Sequence, residues 1–288
     1  MHSDDWYLTE DVDDFLARSG DFLRSRPGAH VMQSTWAERV RTRGTGSFGP
    51  HAPVFGVLEQ EGEARATFYC LPPRALGLSP LTAEQADSLA ARLAAAGYAL
   101  SRVGADHDTA TVFAEAWQRH TGAAPTPRDT RLRLYRLGTL TPPDPLPAGH
   151  GRLLGEQDLE QAMHWCGAFA EAVGEDVTID ADTWASTRYA DKRYLLWETP
   201  DGTAVSVAGM NPLIGGQIQV DVVYTPAGLR GRGYAAAAVT EVSRAALAAG
   251  ARDVVLFADR SNPTSNALYR RLGYRRLADW AGYDFSRP

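Results

Sequence analysis

Apolar and polar positions change their period several times along the chain, and each change marks an element. From Gln217 to Tyr224, Ile218, Val220, Val222 and Tyr224 alternate with Gln219, Asp221 and Val223, the period of two expected of a strand. Pro226 and Gly228 stop it. The period then lengthens. An alanine-rich run from Tyr234 places Val239, Val242 and Ala246 at helical spacing, and Gly250 stands as the residue past the helix end. Asp253–Ala258 again reads as a strand, Asn262–Tyr274 as a helix closed by Gly273, and Arg275–Phe285 as a last strand. Upstream, Glu156–Val173 reads as a helix and a second helix is expected from Asp180 to Ala190. The strands Tyr194–Glu198 and Ala204–Met210 form a hairpin across Pro200–Thr203.

The first half repeats part of that order. Val54–Glu59 and Arg65–Cys70 read as a hairpin across Gln60–Glu63. Thr82–Ala96 then reads as a helix, Tyr98–Val103 as a strand, Thr109–His120 as a helix and Thr130–Gly138 as a strand. A Pro-rich stretch, Thr141–Gly149, is the one clear linker. The expected fold class is therefore α/β, with a mixed, mostly antiparallel sheet flanked by helices. The expected domains are 1–140, a linker 141–150, and 151–288. At 288 residues the chain suits two such units better than one.

Composition narrows the function classes. Net charge is −6, which argues against a nucleic-acid partner and favours a cationic amine substrate. Two cysteines point to a reducing compartment, hence the cytoplasm, with no disulfide framework. No signal-peptide pattern and no membrane-length apolar run occur. Richness in Ala, Arg and Gly suggests a high-GC bacterial source. Asp106-His107-Asp108 precedes a helix and reads as a polar cap. Cys166, near His164, reads as a packed thiol. No metal is expected.

The candidate chemistry lies at Leu229-Arg-Gly-Arg-Gly-Tyr-Ala235, between the strand ending at Tyr224 and the alanine-rich helix. A strand-to-helix junction presents unpaired N–H groups and the positive end of the helix dipole to an anion. Gly231 and Gly233 let phosphate oxygens approach the backbone, and Arg230 and Arg232 add forked donors. A P-loop is excluded, because no Gly-Lys-Ser/Thr triplet is present. Gly231-x-Gly233-x-x-Ala236 satisfies a relaxed dinucleotide fingerprint. Against it, several residues separate the strand from the first glycine, two arginines flank the glycines, and only one further strand, helix and strand can follow.

Arg230-x-x-Gly233-x-Ala235 resembles the Arg/Gln-x-x-Gly-x-Gly/Ala signature of the GNAT family of N-acetyltransferases. Asn262, Tyr269 and the closing Leu272-Gly273-Tyr274 resemble that family's next motif in order and spacing. The resemblance covers roughly 155 to 285, and the first half looks like a degenerate copy lacking the glycine loop. It implies two such domains in tandem, with acetyl-CoA or another acyl-CoA as co-substrate. Leu229, Arg230, Gly231, Arg232, Gly233, Tyr234 and Ala235 would hold the pyrophosphate. Backbone groups of Val222, Val223 and Tyr224 would hold the pantetheine and polarise the thioester, with Asn262 and Asn266 lining the channel.

Asn262, Asn266 and Tyr269 fall on one helical face beside a stripe of Leu268 and Leu272. The resemblance makes Tyr269 the general acid for the departing thiolate. Asp221, charged in an otherwise apolar strand, reads as a base or as an anchor for a cationic substrate. The expected activity is transfer of an acetyl or other short acyl group to a primary amine of a small molecule, by direct attack in a ternary complex. The protein is expected to be a monomer or homodimer. A non-catalytic CoA-binding sensor, or less readily an NAD(P) enzyme, stays open at this level.

Overall fold

The computed structural model describes residues 6–48, 51–129 and 131–286. In chain order the elements are β1 (Trp6–Thr9), α1 (Val12–Ser25), α2 (Val31–Arg43), β2 (Val54–Gln60), β3 (Glu63–Leu71), β4 (Ala75–Leu78), α3 (Ala83–Ala95), β5 (Arg102–Asp106), α4 (His107–Thr121), β6 (Pro125–Pro127) and β7 (Leu132–Leu137). The second half adds β8 (His150–Leu153), α5 (Leu159–Ala172), β9 (Arg193–Glu198), β10 (Ala204–Met210), β11 (Gln217–Tyr224), α6 (Tyr234–Ala248), β12 (Asp253–Asp259), α7 (Pro263–Arg271) and β13 (Tyr274–Phe285).

The contacts divide the chain into two units, but not at one cut. Unit 1 holds the residues up to Leu134, Ala258–Asn262, and those from Arg276 on. Unit 2 holds Tyr135–Phe257 and Pro263–Arg275. A single boundary at 141–150 therefore does not describe the packing. From Arg276 on, the last strand lies in the sheet of unit 1, antiparallel to β5, with Trp280 opposite Asp106 and Tyr283 opposite Val103.

In unit 1, β1, β2, β3 and β4 pair antiparallel in sequence and β4 runs parallel to β5. Side-chain alternation explains the unbroken apolar run in β3. Ala66, Phe68 and Cys70 face a core with Leu89, Phe113 and Trp117, while Tyr69 and Leu71 face one with Phe15 and Val40 from α1 and α2. A strand buried on both faces carries no polar stripe.

Helices α1 and α2 lay outside the sequence expectation. For α1 the signal was present, since Asp11 accepts from the amides of Asp13 and Asp14 as an N-cap. For α2 it was not, because the helix buries Gln33 and Ser34 beside Val31, Ala37 and Val40, which blurs any apolar stripe. The start of the expected strand at Thr130 lies outside the described residues.

In unit 2, β8, β9, β10 and β11 pair antiparallel in sequence, and β11 runs parallel to β12. Val239, Val242 and Ala246 of α6 are fully buried, as their spacing predicts. The helix expected over Asp180–Ala190 is absent. That stretch holds one short 3-10 turn at Trp184–Ser186. There Asp180 and Thr183 bond to each other and to local backbone, the competition by which short polar side chains replace helical bonds.

His30, fully buried in unit 1, stacks on Phe22 at 4.4 Å, and its Nδ1 donates to the Leu23 carbonyl at 3.2 Å. Burial, reinforced by the charge of Arg26, pulls its pKa down to about 4. The unfolded chain, with a histidine pKa of about 6.5, then binds the proton more readily than the folded one. Stability should be full above about pH 6.5 and fall towards pH 4, by on the order of 3 kcal/mol. Denaturant titrations across that range should show the loss, and His30→Phe should remove most of it.

Candidate active site

The second unit builds its site from an irregularity in β11. Val207 pairs with Tyr224 and Gly209 with Asp221, so Ala208 alone faces both Val222 and Val223. This is a β-bulge. It puts Val222 at φ 55, a left-handed conformation that a β-branched residue adopts only under constraint. Registered pairing with β12 ends at Val220↔Leu256, so the bulged end of β11 runs on without a registered partner there. The two parallel strands part beside Val222–Tyr224.

The constraint on the bulge is a partly buried charge cluster. Asp221 Oδ1 accepts from the Val222 amide at 2.8 Å. Its Oδ2 accepts from Arg188 Nη1 and lies 3.1 Å from Lys192 Nζ. Lys192 also donates to Asn211 Oδ1 at 2.7 Å, and Arg188 pairs with Glu175 at 2.5 Å. Tyr189 donates to Glu175 at 2.8 Å, and Tyr194 donates to the Tyr189 carbonyl at 2.8 Å. Cys166 donates to the Tyr194 hydroxyl at 3.3 Å, and burial pushes its thiol up to about 11.

This corrects the expectation for Asp221. Burial alone would raise its pKa, but Lys192 and Arg188 outweigh burial and hold the carboxyl well below the usual range. It is neither a general base nor an unoccupied anchor for a cationic substrate, because its charge is already matched. None of its cationic partners was anticipated. One signal was available: Lys192 is the only lysine among 29 basic residues, and it stands at the entry to β9, just ahead of the apolar run Tyr194–Trp197.

The strand-to-helix loop after β11 is built for an anion. Gly231 and Gly233 take φ 78 and 82, and Gly233 caps α6 with no side chain to close it. The first amide of α6 bonded within the chain is that of Ala237, to Gly233. The amides of Gly231, Arg232, Gly233, Tyr234, Ala235 and Ala236 donate to no acceptor among the described residues. No atom lies within 4 Å of a Cβ built on Gly231, so the approach is open. The two arginines brace this loop. Arg230 donates to the Thr225 carbonyl at 3.1 Å and Arg232 to that of Gly228 at 3.3 Å. Leu229 closes the turn by donating to Pro226.

The matching helix start of unit 1 is closed. Thr82 Oγ1 accepts from the Gln85 amide and Gln85 Oε1 from the Thr82 amide, so α3 satisfies its own first turn. Asp106 likewise caps α4 through the Thr109 amide, as the polar-cap reading expected.

On α7, Tyr269 is buried at 7% exposure, packed between Tyr135 and Tyr274 at 6.3 and 6.0 Å. Its hydroxyl has no hydrogen-bond partner among the described residues. Burial, then Tyr274 and Asp221, raise its pKa, so the phenol keeps its proton at neutral pH. Asn266 is buried and accepts from the Tyr135 hydroxyl at 2.8 Å, so its Oδ1 is already engaged within the protein. Asn262 is exposed just ahead of α7, its amide donating to Asp259.

Comparison with known proteins agrees with this geometry. The model of the Acetyltransferase (GNAT) family matches residues 158–274. That family transfers acyl groups from acyl-CoA, with acetyl-CoA as co-substrate. No curated protein matches the chain in sequence. Among solved structures, the chain is similar to an acetyltransferase of the GNAT family from Colwellia psychrerythraea. They share 11% identity at TM-score 0.59, over 98% of this chain and 100% of that one. It is also similar to a GCN5-related N-acetyltransferase from Sphaerobacter thermophilus, at 20% identity and TM-score 0.55, over 98% and 96%. A tandem GNAT protein from the clavulanic acid biosynthesis pathway aligns over 99% of both chains at 13% identity and TM-score 0.55. The whole chain thus has the tandem GNAT fold.

Lys192→Met leaves a buried carboxylate short of one counterion and should cost about 3 kcal/mol or more in urea denaturation. Adding Asp221→Asn should recover part of that loss, because the two residues form one coupled pair.

Proposed function

We propose that unit 2 is an N-acyltransferase that moves an acetyl group from acetyl-CoA to a primary amine of a small molecule, by direct attack in a ternary complex. The observation that carries the reading is the run of unengaged amides from Gly231 to Ala236 at the start of α6. They suit a pyrophosphate, and the parted ends of β11 and β12 beside them suit an extended pantetheine arm. In this reading, backbone donors near Val223 and Tyr224 polarise the thioester carbonyl, an oxyanion-type contribution.

The amine nitrogen attacks the thioester carbon, and the tetrahedral intermediate breaks its C–S bond. The departing thiolate takes the Tyr269 proton, and the phenolate recovers one released by the amine. Burial raises the proton affinity of both partners. The buried thiols of this chain are pushed up to about 12 at Cys70 and about 11 at Cys166, and a thiolate formed in a similar enclosure is raised in the same way. With Asp221 held ionised by its partners, the amine proton leaves through water. Glu175 and Asp221 are both paired to Arg188. The acceptor therefore meets no unmatched carboxylate in this cluster, which suits an amine arriving neutral.

Incubation with acetyl-CoA and a panel of amines, read by release of free thiol, tests the activity. CoA binding without thiol release for any amine would leave a sensor in its place. Tyr269→Phe should lower kcat by about tenfold to a thousandfold while leaving CoA affinity within a few-fold. An unchanged rate across the pH range would remove Tyr269 from the mechanism. Gly231→Ala should change stability by no more than about 1–2 kcal/mol, through its positive φ alone. It should weaken CoA binding at least about tenfold in calorimetry, by placing a methyl group where a phosphate approaches.

A further inference from the structure

Unit 1 contains a cleft of 590 Å³ that the chemistry above does not use. It lies at the carboxyl ends of the parallel strands β4 and β5. Their registered pairing stops at Gly77↔Gly104, and the last residue of each strand, Leu78 on one and Asp106 on the other, lines the space. Parallel strands that part in this way leave the crevice where ligands settle in open sheets. The helix following β4 offers no anion site there, since Thr82 and Gln85 engage its first turn. Recognition falls to side chains.

Those side chains form two charged sets. Arg26, Arg260 and Arg276 line the cleft. Arg26 makes no ion pair among the described residues. Arg260 and Arg276 share a single carboxylate, Asp279, with Arg133, at 3.7, 2.8 and 3.1 Å. Around Asp279, one negative charge against three guanidiniums leaves cation in excess on this side of the cleft, in the forked geometry that suits a carboxylate, while Asp106 and Asp108 line the other side.

The opposite set stands at the start of α4. Asp106 caps the helix with Oδ1, while its Oδ2 is buried with no donor among the described residues. Leaving such an oxygen unpaired is costly, and a small swing of the side chain towards a bound ammonium relieves it. Leu277 and Trp280 supply apolar surface, Trp280 directly across the strand pair from Asp106.

We propose that this cleft binds an α-amino acid with an apolar side chain, its carboxylate on Arg26, Arg260 and Arg276 and its ammonium on Asp106. Calorimetry on the full chain without CoA tests it, using L-phenylalanine as probe and 3-phenylpropionate and phenethylamine as its truncated counterparts. The amino acid should saturate one site, and each truncation should bind at least about tenfold more weakly.

Asp106→Asn keeps a good N-cap but removes the charge, and the Arg26→Gln/Arg276→Gln double variant changes two exposed side chains. Each should weaken L-phenylalanine at least about tenfold, with circular dichroism and melting temperature checking the fold. No binding of L-phenylalanine, equal binding of either truncated compound, or unchanged affinity in both folded variants would overturn the proposal. No residue in this test belongs to the α6 loop or to α7, so its failure leaves the acyl-transfer reading untouched, and the reverse.

Discussion

A buried carboxylate shared by two cations holds the second unit in its working shape. Asp221 bonds the amide of the next residue and accepts Arg188 and Lys192 on its other oxygen. That fixes Val222 in a conformation its branched side chain resists. The strain is local, and the ion cluster plus the buried Val222 side chain over-determine it. The bulge falls just past Val220, where registered pairing of β11 with β12 ends, and the two strands part there. Asp221 is thus structural in the same place where a free carboxylate would be catalytic. The difference lies entirely in Arg188 and Lys192, which arrive from the irregular segment between α5 and β9 and from the entry to β9.

The two units show how one topology gains or loses an anion site through a few residues. Each has an antiparallel ribbon ending in a parallel pair joined by a helix. In unit 2 the helix starts on glycine with its amides unengaged. In unit 1 it starts on a threonine–glutamine capping box that consumes them. The anion-binding capacity of a helix start depends on its amides being available. The first unit keeps the parted strands without the amides, and its cleft is lined by charged side chains instead.

Most elements of the fold could be read from periodicity: β11, α6, β12, α7 and both hairpins stand where the apolar pattern puts them, within a residue or two. The exceptions have physical causes. Asp180–Ala190 has helical spacing, but Asp180 and Thr183 satisfy local backbone with their side chains and no helix forms. In α2 the buried Gln33 and Ser34 hide the stripe. In the site, the glycine loop and Tyr269 were legible because local backbone geometry and one motif set them. Asn266 was not, because its polar partner, Tyr135, is 131 residues away in sequence.

The alternation that sets β11, α6, β12 and α7, the anion-ready start of α6 and the absence of that feature from α3 follow from the sequence alone, since each depends on residues within a few positions of one another. Tertiary structure alone decided three things: that the last strand joins the sheet of unit 1, that Asp221 is neutralised, and that Tyr269 sits in a buried aromatic setting that raises its pKa. All three depend on contacts between segments far apart in the chain. A carboxylate or a phenol carries no mark in its own sequence of the charges and dielectric that folding brings around it.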